Sequence, residues 1–353
     1  MTWIFASMLL VNVGPVSNGV PNRQPQLASG YGMVGLTFAA GQSIYFAGSN
    51  DEGWTFSPAV KVTEAKLLAA GRHRGPRVVI LKDAIVISAV VGQETGDAHS
   101  HGLPADGDLI SWRSVDRGKT WSRAGTVNDE PRAAREGLHA MTADSRGNLF
   151  AVWLDLRSKG TKLYGSRSTD GGMTWAKNVL VYASPDGTIC ECCDPSIAID
   201  EAGRISVLWR NAVGGSRDMY VSSSRDGVQF GAPQKAGNGT WKLNACPMDG
   251  GGIAVDHGQV VSAWRREGEV FLAPAGKPET KIGAGKDVAI AAGRKGAYVA
   301  WSNGPAIEIQ VPGTSAPAPL ASNGSYVNLA ALPDGSVLAA WEANGVIETR
   351  KVE

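Results

Sequence analysis

The chain has 353 residues, with 34 Lys+Arg against 33 Asp+Glu and a formal net charge of +1. That balance supplies no cationic footprint for nucleic acid, which needs Lys and Arg clustered on one face. No apolar run reaches the roughly 18 residues of a membrane-spanning helix, and 45 glycines with 11 tryptophans, without long helical periodicity, point to an all-β chain rich in tight turns.

In chain order, the opening MTWIFASMLLVNVG is apolar but lacks the basic flank of a secretory leader, so a strand is expected from Trp3 to Val13. Two strand–turn–strand units follow, Gln26 to Ser49 and Pro76 to Ser114. Five further units each contain a hairpin glycine, at Gly147, Gly203, Gly258, Gly296 and Gly335. Each then ends a strand on tryptophan, at Trp153, Trp209, Trp264, Trp301 and Trp341. Units repeating every 40 to 60 residues or so match the period of propeller blades. The expected fold is an all-β, seven-bladed β-propeller of four-stranded antiparallel blades, with six blades as the alternative. The last unit, Tyr326 to Val352, has room for three strands only. The N-terminal strand is therefore expected to complete it, closing the ring and removing exposed sheet edges. No linker interrupts the chain, so residues 1–353 read as a single domain, expected to be a monomer.

A second repeat rides on the first. Ser114 to Trp121 and Ser168 to Trp175 both read S-x-D-x-G-x-T-W, Ser49 to Phe56 ends on Phe instead, and Ser224 to Phe230 is a shortened copy. The aspartate is suited to accept local backbone N–H groups, the glycine to a positive φ, and the aromatic to packing between sheets. These acids are therefore read as turn-builders.

Chemistry in such a ring belongs at the mouth of the channel, where inner strands begin and second strands end. Counting nine residues back from successive turn glycines gives Asp194, Asp249, Asp287 and Tyr326 at equivalent positions. The residues just after the strand tryptophans are Arg210, Arg265, Ser302 and Glu342.

The S-x-D-x-G-x-T-W copies resemble the Asp-box (BNR) repeat of sialidase-like propellers. Arg23-Gln24-Pro25 is similar to the Arg-x-Pro motif whose arginine begins that family's carboxylate-binding triad. Tyr326-Val327-Asn328-Leu329, Leu332-Pro333-Asp334-Gly335 and Trp341-Glu342 resemble its last blade, and Leu208-Trp209-Arg210-Asn211 the strand of its second arginine. The resemblance implies a glycoside hydrolase acting on acidic sugars, with no cofactor. Tyr326 would be nucleophile, Asp194 its activating base and Glu342 a brace. Arg23, Arg210 and Arg265 (or Arg266) would form the carboxylate clamp, with Asp249 and Asp287 at the substrate. Planar guanidinium groups bind carboxylates bidentately, and a tyrosine beside a carboxylate base can attack an anomeric carbon. The family habit also implies a secreted or periplasmic protein and a glycan or small-molecule ligand. One departure stands out: the first-blade connection Ala39-Ala40-Gly41-Gln42 holds no acid where the family carries its acid/base aspartate.

All four cysteines, Cys190, Cys192, Cys193 and Cys246, fall within 57 residues. One reading is disulfides joining adjacent blades in an oxidising compartment. The other is a non-enzymatic thiolate site for copper or zinc, with His99 and His101 of the H-x-H loop as further ligands. A plain carbohydrate- or protein-binding scaffold is the third functional reading. His73 and His139, which precede the inner strands of blades two and three, could join such a site, and Arg135-Glu136 and Asp155/Arg157 are further candidates at the mouth.

Overall fold

The computed structural model describes residues 11–14, 16, 19–96 and 102–353. All their regular structure is β, arranged as seven antiparallel sheets in a ring. Blade 1 runs from Asn22–Gly30 to Val60–Glu64 and blade 2 from Leu67–Leu68 to Ser122–Thr126. Blades 3, 4, 5 and 6 begin with His139–Ala143, Ser196–Ile199, Gly252–Asp256 and Lys286–Gly293. Blade 7 comprises Ser325–Ala331, Val337–Ala343 and Val346–Val352. Val11–Val13 lies antiparallel to its last strand, Val11 opposite Thr349 and Val13 opposite Ile347. The expected closure is therefore present, while the rest of the predicted Trp3-to-Val13 strand falls outside the described residues. Seven blades, not six, is the count.

The sequence pattern explains the packing. Each pair of neighbouring blades encloses its own apolar core, seven in all, including one between blades 7 and 1 built from Leu36, Phe38, Leu338 and Ile347. Trp153, Trp209, Trp301 and Trp341 are fully buried and Trp264 nearly so. Each indole contributes roughly 4–6 kcal/mol of apolar burial before entropic costs.

The four S-x-D turns lie between the third and fourth strands of blades 1 to 4, and in each the serine Oγ accepts from the turn glycine. In blade 2, Asp116 accepts from the Lys119 and Thr120 N–H groups at 3.0 and 2.9 Å, while Ser114 Oγ accepts from Gly118 at 2.9 Å. The glycine has two reasons to be there. Its φ is +88°, and a Cβ would lie 2.2 Å from Phe46 of the preceding blade. The same turn in blade 1 presses Gly53 against Leu338 of blade 7. These turns fasten blade to blade and stand at the outer edges of the sheets.

One feature departs from the predicted unit Pro76 to Ser114. The inner strand of blade 2 is split: Leu67–Leu68 and Arg77–Ile80 pair with opposite ends of Ile85–Gly92. The residues between them make an excursion over the channel mouth.

Candidate functional site

Several inner strands begin with a device that turns a side chain toward the axis. In blades 1, 6 and 7 the ladder register shifts between Arg23 and Gln26, Lys286 and Ala289, and Ser325 and Asn328. Gln24, Asp287 and Tyr326 occupy these bulges with φ of 55°, 56° and 52°. Bulges re-aim side chains, and left-handed non-glycine backbone persists only where surrounding packing enforces it. In blade 2 the excursion does the same work. Gly71 and Arg74 exchange backbone hydrogen bonds of 2.9 and 3.1 Å around Arg72 and His73, both at positive φ. Buried Arg77 secures this turn by donating to the His73 carbonyl at 2.7 Å.

His73 is the hub of the channel. Its Nε2 lies 2.8 Å from Asp287 Oδ1, its Nδ1 is 4.0 Å from Asp194 Oδ1, and its ring meets Tyr326 edge-on at 5.2 Å between centroids. Burial alone would lower the imidazole pKa, but Asp194, Asp287 and Asp249 together outweigh it and raise it to about 9. His73 is thus an imidazolium at neutral pH. Asp194 Oδ1 accepts no hydrogen bond. Gly250 passes so close to Asp194 that a Cβ would lie 1.8 Å from its carbonyl oxygen, so only glycine permits this approach. Among the described residues no hydrogen bond joins Asp194 to Tyr326, and His73 is the group in contact with the phenol ring.

The two sides of the mouth differ in how their charges are used. On the blade 4–5 side, Arg210 is 1% exposed and donates to the carbonyls of Asp249, Arg217 and Arg265 and to Asp249 Oδ1. Arg265 Nε lies 2.9 Å from Asp249 Oδ2, and its Nη2 donates to the Pro247 carbonyl at 2.7 Å. Both guanidinium groups also face the Trp241 ring at 5.3 and 5.2 Å. Burial pushes the Asp249 carboxyl up, against the pull of Arg210, Arg265 and His73. Arg266 is turned away to Glu279 and Phe271.

On the blade 1, 2 and 7 side, Arg23, Arg72, Arg74, Glu136, Glu191, Tyr326 and Glu342 line an open cavity of about 830 Å³. Glu342 does not brace Arg23; its Oε1 accepts from the Gln24 backbone and side-chain amides at 2.7 and 3.2 Å. Its carboxyl is pushed up by burial, offset by Gln24, Arg23 and His73. Glu136 is raised in the same way, against Arg74 at 3.3 Å. The Tyr326 phenol is raised by burial and by the charges of Asp287 and Glu342, with Arg72 and Arg23 opposing.

Cys192 and Cys246 form a disulfide that borders the same cavity together with Met248. Cys190 and Cys193 are free thiols buried behind it, 2.9 Å apart. His99 and His101 lie outside the described residues. A groove of about 900 Å³ between blades 4 and 5 runs along Asp200, Arg204, Lys235 and Gly258, at the opposite, hairpin end of the inner strands. Its charges are partly paired, Arg204 with Asp200 and Lys235 with Asp218.

Sequence counting brought Tyr326, Asp194, Asp249 and Asp287 to one mouth, and the structure has all four around the channel. It did not identify Arg72, Arg74 or Trp241, nor His73 as the hub. The signal for the first group was the run Gly71-Arg-His-Arg-Gly75, polar residues framed by glycines at an inner-strand start.

No protein-family model matches the sequence, and no curated protein does. The fold is nonetheless shared with solved structures across nearly the whole chain. An ulvan lyase, described as a new polysaccharide lyase family, is 12% identical over 97% of this chain and 96% of its own, with a TM-score of 0.60. The α-L-arabinanase of Penicillium chrysogenum is 13% identical over 99% of both chains, TM-score 0.59. A Hadza microbial sialidase is 15% identical over 94% of this chain and 66% of its own, TM-score 0.55. At such identities the likeness is one of fold, the β-propeller, and extends no further.

Proposed function

We propose that the protein is a carbohydrate-active enzyme that cleaves glycosidic bonds of acidic sugars at the blade 1, 2 and 7 side of the channel mouth. The observation that carries this reading is Tyr326. It is held on a left-handed bulge in the cavity that Arg23, Arg72 and Arg74 also line, against the His73 imidazolium. In this reading Arg23 and Arg72 meet the sugar carboxylate, since among the described residues their guanidinium groups donate to no protein acceptor, whereas those of Arg210 and Arg265 do. Arg210, Asp249 and Arg265 instead form the wall that fixes the channel.

Tyr326 Oη attacks the anomeric carbon and forms the covalent bond, while the glycosidic C–O bond breaks. The phenolic proton passes to Glu342, which lines the same cavity and whose carboxyl pKa is raised by burial. Asp194 and Asp287 contribute by keeping His73 protonated, and the imidazolium edge favours the developing phenolate. Glu136, also of raised pKa, replaces the first-blade acid that the Gly41-Gln42 turn lacks and protonates the leaving oxygen. Water then hydrolyses the glycosyl-tyrosine. The Cys192–Cys246 disulfide favours an oxidising compartment, in keeping with a secreted or periplasmic enzyme.

The test is a panel of chromogenic sialosides, uronides and neutral glycosides, assayed with wild type and Tyr326→Phe. Turnover of carboxylate-bearing members only, lost in the variant, supports the reading. Equal turnover of neutral members sinks the carboxylate assignment. An unsaturated product would move the reaction to elimination at the same site.

A further inference from the structure

The hydrolase reading leaves unused the densest cluster of soft ligands in the molecule. Cys190, Cys192 and Cys193 place their sulfur atoms 2.9, 3.8 and 4.0 Å from one another. All three are buried, and Met248 packs against them. Among the described residues they are the one group of three Cys, His or acidic side chains whose ligand atoms converge within 4.8 Å. Zinc–thiolate bonds of about 2.3 Å in a tetrahedron require sulfurs about 3.8 Å apart; the Cys190–Cys192 separation is 3.8 Å and the Cys192–Cys193 separation 4.0 Å, while Cys190 and Cys193 at 2.9 Å would have to part. The fourth sulfur, Cys246 Sγ, is bonded to Cys192 and approaches from the exposed, cavity side.

We infer that the reduced form of this cluster is a binding site for one thiophilic d10 cation, Cu(I) or Zn(II), and that the Cys192–Cys246 disulfide is its closed, metal-free form. A thiol reductant delivers two electrons and two protons to the disulfide, leaving four thiols at the mouth and becoming a disulfide itself. The cation then binds the sulfurs as thiolates, and each coordinated thiol releases its proton to solvent. Cys190, Cys192 and Cys193 provide three ligands, with Cys246 or the Met248 thioether as the fourth. Arg210, whose charge acts on both Cys190 and Cys193, offsets the negative charge of the thiolates. Cys192, Cys246 and Met248 border the cavity, which gives a route for the ion. Soft sulfur donors with no carboxylate among them exclude calcium and magnesium.

The experiment compares oxidised wild type, wild type reduced and desalted anaerobically, and Cys246→Ser. Each is given one equivalent of Cu(I) or, separately, Zn(II), passed through a desalting column, and analysed for bound metal and free thiols. The expected result is one metal per chain in the reduced wild type and none in the oxidised protein. Cys246→Ser, which removes the disulfide partner of Cys192, is expected to bind without reductant once its thiol count confirms three free thiols. Cys193→Ser is expected to weaken retention at least tenfold in a competition with a chelator. Failure of reduced wild type and of Cys246→Ser to retain either ion overturns the inference. So does retention by the oxidised protein equal to that of the reduced protein. Retention of Cu(I) but not Zn(II), or the reverse, identifies the ion and supports the site.

Discussion

The two sides of the channel mouth contain the same residue types in different states. On the blade 4–5 side, Arg210 and Asp249 are buried and hydrogen-bonded to each other, and half-buried Arg265 is ion-paired to Asp249 and donates to the Pro247 carbonyl. On the blade 1, 2 and 7 side, Arg23, Arg72 and Glu342 border open space. The difference lies in what faces each residue. The Trp241 ring lies over the first pair of guanidinium groups, whereas bulges at Gln24 and Tyr326 shape the second side. The buried charges of the first environment hold the ring together, whereas Arg23 and Arg72 in the second face the cavity with no acceptor among the described residues.

The largest effect expected from breaking this contrast is on stability at the closed side. Arg210→Met leaves Asp249 buried with part of its charge uncompensated. It should cost about 3–5 kcal/mol in chemical denaturation, the usual penalty for removing one member of a buried pair. A loss no larger than that of an exposed arginine would show that the cluster is not structural.

The hub between the two sides gives the next effect. His73 moves from its ordinary 6.5 to about 9, so its stabilising contribution is fully present below pH 6.5 and is lost as pH rises through 9. At most roughly 3 kcal/mol is involved. Wild type should therefore lose stability between these limits, while His73→Asn should be flatter over the same window. Parallel curves for the two proteins would exclude an imidazolium held by Asp194, Asp287 and Asp249.

The smallest effect is on the open side. Arg23→Gln should leave the melting temperature unchanged within about 2 °C, yet raise KM for a carboxylate-bearing substrate roughly 10- to 100-fold, the worth of a charge-assisted hydrogen bond. A stability loss like that of Arg210→Met would erase the distinction between the sides.

The ring itself was readable because its causes repeat. Glycine turns, strand tryptophans and S-x-D turns recur at blade spacing, and the short last unit required the N-terminal strand. The site was readable only in outline. Register told which residues share a mouth, so Tyr326 and three aspartates were found by counting. Register does not tell which donors the protein itself consumes. Arg210 therefore looked like a clamp, although its guanidinium group is held by the Asp249, Arg217 and Arg265 carbonyls. Nor does periodicity reveal a break in the period. His73 is central because the inner strand of blade 2 is split, and that insertion has no counterpart in the other blades. The cysteine pairing was equally hidden, since spacing does not tell which of three cysteines in one short run bonds to Cys246.

The most direct test of the central claim is covalent trapping. A fluorinated acidic glycoside with a good leaving group, whose fluorine slows breakdown of the intermediate, is incubated with the enzyme and the protein is mapped by peptide mass spectrometry. The account predicts a glycosyl adduct on Tyr326, absent from Tyr326→Phe and suppressed in Arg23→Gln. An adduct on another residue, or full turnover by Tyr326→Phe, would contradict it.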